Sequence, residues 1–315
     1  MKVLLTGASS SPGFKTLIEL VNKGYTVYAQ YNTHPIETRH TNVEPIKLDL
    51  TQYDRVVETF NSIKPDVVIH MAALGNVDLC ETDREQAWKV NVEATRLLAK
   101  LVSKHGAMML YLSTDYVFDG ERGIYSEEDV PDPVNFYGLT KFVAEEIVKS
   151  LVEKHIIVRS SAIFGLGMGR KNFGKFLVEA LSKGQKVKAI VDQWLSPTLN
   201  TLLAKAIMEL LEKEIYGLFH IAGERVSRYD FAIKLAKRFG FNENLVEPAK
   251  MSDFKWIAKR PRDSSLDCSK AKSFLSTNFD SLDNSLELLY SEWIAMKKIQ
   301  ELRNCESSGF GSCCW

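Results

Sequence analysis

No stretch of this 315-residue chain reaches the roughly 20 apolar residues that cross a bilayer. Its first apolar run, Lys2-Val3-Leu4-Leu5-Thr6, stops at Gly7 and is too short for the core of a signal peptide. A cytoplasmic location with no membrane partner is therefore expected. Cysteine is scarce, with five residues, of which Cys80 and Cys268 stand alone and Cys305, Cys313 and Cys314 crowd the end. None has zinc-ligand spacing and an odd count gives no disulfide framework, so no metal site is expected. Net charge is missing too. Forty basic residues balance forty acidic ones, so no overall field recruits nucleic acid or an anionic surface. What is present is the 45% hydrophobic and 25% charged make-up of an ordinary globular protein. The length can bury the core of one large domain with a smaller second lobe.

The first half alternates short β-rich runs with helical periods. Strands are expected at Val3 to Thr6, Thr26 to Tyr31, Pro45 to Leu48, Asp66 to Met71, Met108 to Leu112 and Ile156 to Arg159. Helices are expected at Phe14 to Lys23, Tyr53 to Ile63, Arg84 to Lys104 and Asn135 to Val152. The uninterrupted apolar run at 66–71 suits a strand buried on both faces, and the alternation as a whole predicts an α/β, doubly wound parallel (Rossmann) sheet. Residues 1–161 are assigned to this dinucleotide-binding domain. After Ser161 the pattern changes. Gly165, Gly167 and Gly169 mark a connection, helical periods recur at Leu202 to Leu210, Phe231 to Phe239 and Leu286 to Met296, and strands thin out. Residues 162–298 are read as a smaller mixed C-terminal substrate lobe, some of whose segments return to the first domain. Residues 299–315 are read as a disordered tail.

Between the first strand and first helix lies Thr6-Gly7-Ala8-Ser9-Ser10-Ser11-Pro12-Gly13. Small residues there let the backbone bend sharply and approach a pyrophosphate at the helix N-terminus. Gly7 and Gly13 fit that need, and Pro12 is tolerated at a helix start. The full G-x-G-x-x-G is not met, because Ser10 stands where the middle glycine of a T-G-x-x-G-x-x-G turn belongs. The second strand ends Ala29-Gln30-Tyr31-Asn32 with no carboxylate to hold ribose hydroxyls, and Arg39 follows. This leans toward NADPH over NADH, with Arg39 a candidate for the 2′-phosphate and a solvated loop arginine the plain alternative.

Tyr137 and Lys141 form a Y-x-x-x-K spacing, which places phenol and ammonium on one helix face. A free phenol titrates at ~10, and a neighbouring cation lowers that value. Such a tyrosine can protonate a carbonyl oxygen while a nicotinamide delivers hydride to its carbon. Lys141 is also a candidate for the nicotinamide ribose. Thr114 closes the strand run Tyr111-Leu112-Ser113-Thr114, at the carboxyl edge where parallel sheets place ligands. His70, on a buried strand, reads as a satisfied core histidine.

Around these residues the chain resembles a known family. Ser113-Thr114-Asp115-Tyr116-Val117-Phe118-Asp119-Gly120 matches the signature of dTDP-4-dehydrorhamnose reductases, extended short-chain dehydrogenases whose relatives include the regulatory β subunit of methionine adenosyltransferase. Four further segments agree in order: Val77-Asp78 with Cys80-Glu81, Val90-Asn91, Asp192-Gln193 with Ser196-Pro197-Thr198, and Arg260-Pro261 with Leu266-Asp267. The resemblance covers about residues 1 to 298. It implies Thr114, Tyr137 and Lys141 as the catalytic triad, and Ser10, Ser11 and Pro12 at the pyrophosphate. It places Asp49 and Leu50 beside adenine, and Ala73, Leu74 and Gly75 along the middle of the cofactor. Asp115 and Tyr116 would face a nucleotide-sugar. One departure touches the substrate: Arg159-Ser160-Ser161 is followed by Ala162, where the reductases carry a tryptophan that packs on the sugar.

Two functions follow from the resemblance. One is NAD(P)H-dependent reduction of a 4-keto nucleotide-sugar, with dTDP-4-dehydro-L-rhamnose giving dTDP-L-rhamnose, or a related reductase or epimerase reaction. The other is an NADP-binding regulatory subunit with no turnover, since a fold and even a triad can persist in such a role. A homodimer is the candidate assembly.

Overall fold

A computed structural model describes the backbone of residues 1–307 and the side chains as far as Glu301. Its first half runs β1 (Lys2–Thr6), α1 (Ser11–Asn22), β2 (Thr26–Tyr31), β3 (Val43–Lys47), α2 (Tyr53–Ile63), β4 (Val67–His70), α3 (Val77–Thr82), α4 (Arg84–Trp88), α5 (Ala94–His105), β5 (Met108–Thr114), α6 (Phe136–Leu151) and β6 (His155–Phe164). The second half adds α7 (Phe173–Leu181), β7 (Val187–Ile190), β8 (Trp194–Leu195), β9 (Pro197–Leu199), α8 (Asn200–Glu212), β10 (Gly217–His220), β11 (Val226–Ser227), α9 (Arg228–Phe239), β12 (Val246–Ala249), α10 (Ser269–Phe274) and α11 (Leu282–Ser307).

The main sheet has the order β3-β2-β1-β4-β5-β6-β10, with β9 paired to β6. Its neighbours all run parallel. The order reverses at β1, so the carboxyl ends of β1 and β4 diverge and open a crevice, the usual seat of a ligand in such sheets. Every residue of β4 and β5 is buried, because helices cover both faces. Leu17 and Leu20 of α1 and Ile207 and Leu210 of α8 pack on one face. Phe60 of α2, Leu98 and Val102 of α5, and Ala144 and Val148 of α6 pack on the other. The expected doubly wound fold is the one observed.

Three boundaries differ from expectation. Strand β6 continues past Arg159 to Phe164, so the domain limit drawn at 161 falls inside a strand. Its middle is polar, and two of the polar side chains there are paired internally, Arg159 with Glu145 and Ser161 with Asp115. The helix expected at 84–104 is interrupted by a π turn at Lys89–Glu93. Helix α11 runs to Ser307, through part of the stretch assigned to a tail. Gln300, Glu301, Leu302 and Arg303 are good helix formers, and no glycine interrupts them. Residues 308–315 lie outside the described residues.

The smaller lobe is made by α7, α9 and two short pairs, β7 with β12 and β8 with β11. Strand β10 pairs with β6 in the main sheet, and helix α8 packs on that sheet.

Candidate active site

The turn after β1 is built for close approach. Gly7 takes φ 66, and a Cβ there would meet the Ala72 backbone nitrogen at 2.7 Å. Gly13 lies against the Gly7 carbonyl, where a Cβ would come to 2.1 Å. Ser10 caps α1, its Oγ accepting from Gly13 N at 3.1 Å, so the serine in the middle-glycine position serves the helix directly. Gln30, noted in the sequence only as a missing carboxylate, is buried. Its Oε1 accepts from Gly7 N at 2.8 Å and its Nε2 donates to the Leu48 carbonyl at 2.5 Å. Asn200 Nδ2 donates to Ser11 Oγ at 3.0 Å and to the Leu166 carbonyl at 3.0 Å. That ties the turn to the β6–α7 connection, where Gly169 sits so close that a Cβ would reach Ser11 N at 2.6 Å. Small residues, serine hydroxyls and the α1 N-terminus form a donor set suited to a pyrophosphate.

Next to the turn, Ala73 and Gly75 are exposed and Leu74 is half-buried. Asn91, inside the π turn, holds this segment. Its Oδ1 accepts from Leu74 N at 2.8 Å, and its Nδ2 donates to Thr140 Oγ1 at 3.0 Å. The segment expected along the cofactor is thereby fixed to the helix that carries Tyr137 and Lys141.

Helix α6 starts at a cap, Asn135 Oδ1 accepting from Gly138 N at 2.9 Å, while Glu81 Oε2 accepts from Phe136 N at 3.0 Å. Gly138 has a purpose that the Y-x-x-x-K spacing does not reveal. A Cβ there would stand 2.0 Å from the Tyr116 carbonyl oxygen, so only glycine lets the turn after β5 press on α6. That contact brings Thr114 and Tyr116 to Tyr137. The Tyr116 and Tyr137 rings meet edge to face, 6.1 Å between centroids.

Burial pushes the Tyr137 phenol well above its ordinary value, and a hydrogen bond with Thr114 opposes that push. The lowering expected from Lys141 is not what the structure shows. Lys141 Nζ instead donates to the Leu112 carbonyl at 2.7 Å and lies 4.0 Å from the centre of the Tyr111 ring. Burial pulls the Lys141 ammonium down to about 7, with Glu145 acting the other way. The centre thus offers a protonated phenol, which suits donation of a proton to a carbonyl oxygen. His70 is satisfied between Thr6 Oγ1 at 2.6 Å and Thr95 Oγ1 at 2.9 Å, and burial pulls it down to about 3.

From the sequence, Asp115 is expected at the substrate. The structure turns its carboxylate inward, where Oδ2 accepts from Ser161 Oγ at 2.8 Å and Ser264 Oγ at 2.5 Å, and Oδ1 from Thr114 Oγ1 at 3.1 Å. All of these are buried, and Asp115 braces the strand ends that carry Thr114. Tyr116 looks the other way. Burial raises its phenol, while the charges of Arg228 and Arg260 lower it. Those arginines line a cavity of about 250 Å³ in the smaller lobe, together with Phe173, Gln193, Phe254 and Trp256. Phe254 and Trp256 stack at 5.7 Å, and Arg260 lies 5.6 Å above the Trp256 ring. Ala162, at φ 41, falls in the register shift of β6 against β9.

Motifs far apart in sequence converge here. Gln193 Oε1 accepts from Arg228 Nε at 2.7 Å, and its Nε2 donates to the Pro261 carbonyl at 3.0 Å. Arg260 pairs with Asp78 at 2.9 Å. The role of Arg228 was not foreseen; only its place at the start of α9, after the Ser227 cap, hinted at it.

Three candidates remain, Arg39, Asp49 and Leu50. Arg39 is exposed on the loop after β2, at a hollow of about 300 Å³ that it shares with Phe14, Leu17 and Val21. Asp49 folds back on Thr51, accepting from its N at 2.9 Å and its Oγ1 at 2.8 Å. Leu50 is buried in the core with Leu48 and Val56. Among the described residues no group of three or more His, Cys, Asp or Glu is placed to hold a metal ion, and no helix is long and apolar enough to cross a membrane.

Residues 1–293 match the family described as RmlD substrate binding domain. The dTDP-4-dehydrorhamnose reductase of Aggregatibacter actinomycetemcomitans is 34% identical over 283 residues, 85% of this chain and 91% of that protein. Methionine adenosyltransferase 2 subunit beta of Rattus norvegicus is 29% identical over 286 residues, 86% of this chain and 82% of that protein. The crystal structure of a dTDP-4-dehydrorhamnose reductase from Bacillus anthracis in complex with NADP superposes with a TM-score of 0.80 at 29% identity, covering 92% of this chain and 99% of that one.

Proposed function

Because the chain belongs to the RmlD substrate-binding domain family, we propose that it is an NAD(P)H-dependent reductase of a 4-keto nucleotide-sugar, with dTDP-4-dehydro-L-rhamnose the substrate and dTDP-L-rhamnose the product. The observation that supports this reading is the hydrogen bond between Thr114 and Tyr137 at the carboxyl edge of the sheet, with Lys141 one turn along the same helix and an arginine-lined cavity beyond the Tyr116 ring. Gly7, Ser10, Ser11, Pro12 and Gly13 would hold the cofactor pyrophosphate, and Ala73, Leu74 and Gly75 its middle. NADPH, when bound, supplies the hydride.

The residues of this chain do the rest. Thr114 and Tyr137 orient the keto oxygen, and the phenol gives its proton to that oxygen as the carbon becomes a secondary alcohol. The phenolate left behind regains its proton from solvent, and Lys141, held by the Leu112 carbonyl one turn along α6, would reach the nicotinamide ribose. Arg228 and Arg260 suit a diphosphate, as paired guanidiniums do, and the stacked Phe254 and Trp256 give an aromatic wall for the apolar face of the substrate. The wall stands in a different segment from the tryptophan that Ala162 lacks.

The likeness to a methionine adenosyltransferase β subunit, together with Ala162, favours a second reading: a cofactor-binding regulatory subunit. One experiment separates the two. Purified protein with NADPH is expected to lose absorbance at the nicotinamide band only when the keto-sugar is added. Protein that binds NADPH and turns over no keto-sugar would sink the reductase reading in favour of the second.

A further inference from the structure

Helix α6 carries, one turn beyond Lys141, another buried ionisable side chain that no step above uses. Glu145 is 0% exposed and its partner Arg159, on β6, 1%. Arg159 Nε donates to Oε1 at 3.0 Å and its second nitrogen to Oε2 at 2.6 Å. The same carboxylate accepts from Ser113 Oγ at 2.5 Å. A buried ion pair seldom stabilises a fold more than apolar packing of the same volume would, so its place in the molecule is what calls for explanation.

That place is specific. Tyr137, Lys141 and Glu145 lie four residues apart on one face of α6. Lys141 grips β5 at the Leu112 carbonyl, and Glu145 grips the next residue, Ser113. Thr114 follows at once. On the far side, Thr114 is in register with Ser160, the residue after Arg159. The end of β5 is therefore stitched to α6 at two successive residues and to β6 through Arg159.

We propose that Glu145 is a positioning residue of the reductase centre: clamped by Arg159, it locks Ser113 to α6 so that Thr114 stands against Tyr137. This rests on the reductase reading. The groups that face Lys141 are Tyr111 on β5, His70 on β4 and Glu145 on its own helix, with the Arg159 guanidinium of β6 clamped on that carboxylate. Tyr111 and Tyr137 are held protonated by burial, and His70 is neutral. Glu145 is thus the one carboxylate among them. Burial lowers Lys141 to about 7 against the pull of Glu145, so removing Glu145 lowers it further. Lys141 then loses its proton at a lower pH.

The test uses the full chain with NADPH. Glu145→Gln leaves Arg159 without a counter-charge, so Glu145→Gln/Arg159→Met, which removes both charges, is made beside it. Expected in the folded variants are a fall in kcat of about tenfold or more, with both KM values within about twofold. In Glu145→Gln, where the carboxylate alone is lost, the alkaline limb of NADPH affinity, followed by nicotinamide fluorescence, moves down. Glu145→Asp, which keeps the charge, holds that limb near its original place. A folded double variant with unchanged kcat overturns the proposal. If the wild-type chain binds NADPH and reduces no keto-sugar, the reductase reading fails by itself, and the limb of NADPH binding still decides what Glu145 does to Lys141.

Discussion

Tyr137 works where water is scarce, and that sets the sign of its chemistry. Burial disfavours the phenolate, so the side chain stays protonated and, under the proposed function, has a proton to give to a carbonyl oxygen. Tyr137→Phe keeps the ring against Tyr116 and removes only the proton donor. Its kcat should fall by about 10²–10⁴-fold while NADPH affinity stays within a few-fold. Steady-state rates and a fluorescence titration check this, and a variant that retains most of its turnover would remove Tyr137 from the mechanism. The Y-x-x-x-K spacing was readable at this scale because a helix face is a local property. The inward turn of Asp115 was not, since its partners Ser161 and Ser264 are supplied by distant segments.

At the scale of elements, two glycine and serine positions decide how helices meet the sheet edge. Gly138→Ala places a methyl group against the Tyr116 carbonyl, where a Cβ would stand 2.0 Å away. The turn after β5 must then withdraw from α6. The variant should lose about 1–3 kcal/mol of stability through overpacking and lose activity through the displaced Thr114. Urea unfolding and kcat together test it, and an alanine variant with wild-type kcat would mean that this contact does not set the geometry. Ser10 makes a separate prediction. As the cap of α1 it should cost about 1 kcal/mol when changed to Ala and only a few tenths when changed to Gly. A glycine variant as unstable as the alanine one would argue against a capping role. The start of α1 was legible as a turn with Pro12 beside it, whereas the bond from Ser10 to Gly13 and the grip of Gln30 on Gly7 came only with the fold.

For the whole molecule the buried histidines give a pH dependence. His70 and His220 are each pulled down to about 3, chiefly by burial, with Lys141 and Arg159 respectively next. Unfolded, both would titrate near ~6.5. Between those values the unfolded chain binds more protons than the fold, so stability is fully present above ~6.5 and is lost as pH falls toward 3. Asp115 and Glu127, raised by burial, work in the opposite direction and soften the loss at the acid end. Urea midpoints at neutral and mildly acid pH should show the decline, and a folded His220→Gln variant should flatten it. A midpoint that does not change across that range would contradict the burial of both rings. The sequence by itself determined the alternation of strand and helix, the glycine turn after β1, and the face shared by Tyr137 and Lys141. Each depends on neighbours within a few residues, where steric limits and helical period act directly. Only the tertiary structure decided that β10 and α8 return to the large domain, that Arg228 and Arg260 share a cavity with Trp256, and that Glu145 is clamped by Arg159. Those outcomes follow from desolvation and packing, which sum over whatever the fold brings near. A charged residue such as Arg159 reads as the end of a buried strand until its partner, fourteen residues earlier on another element, is in place.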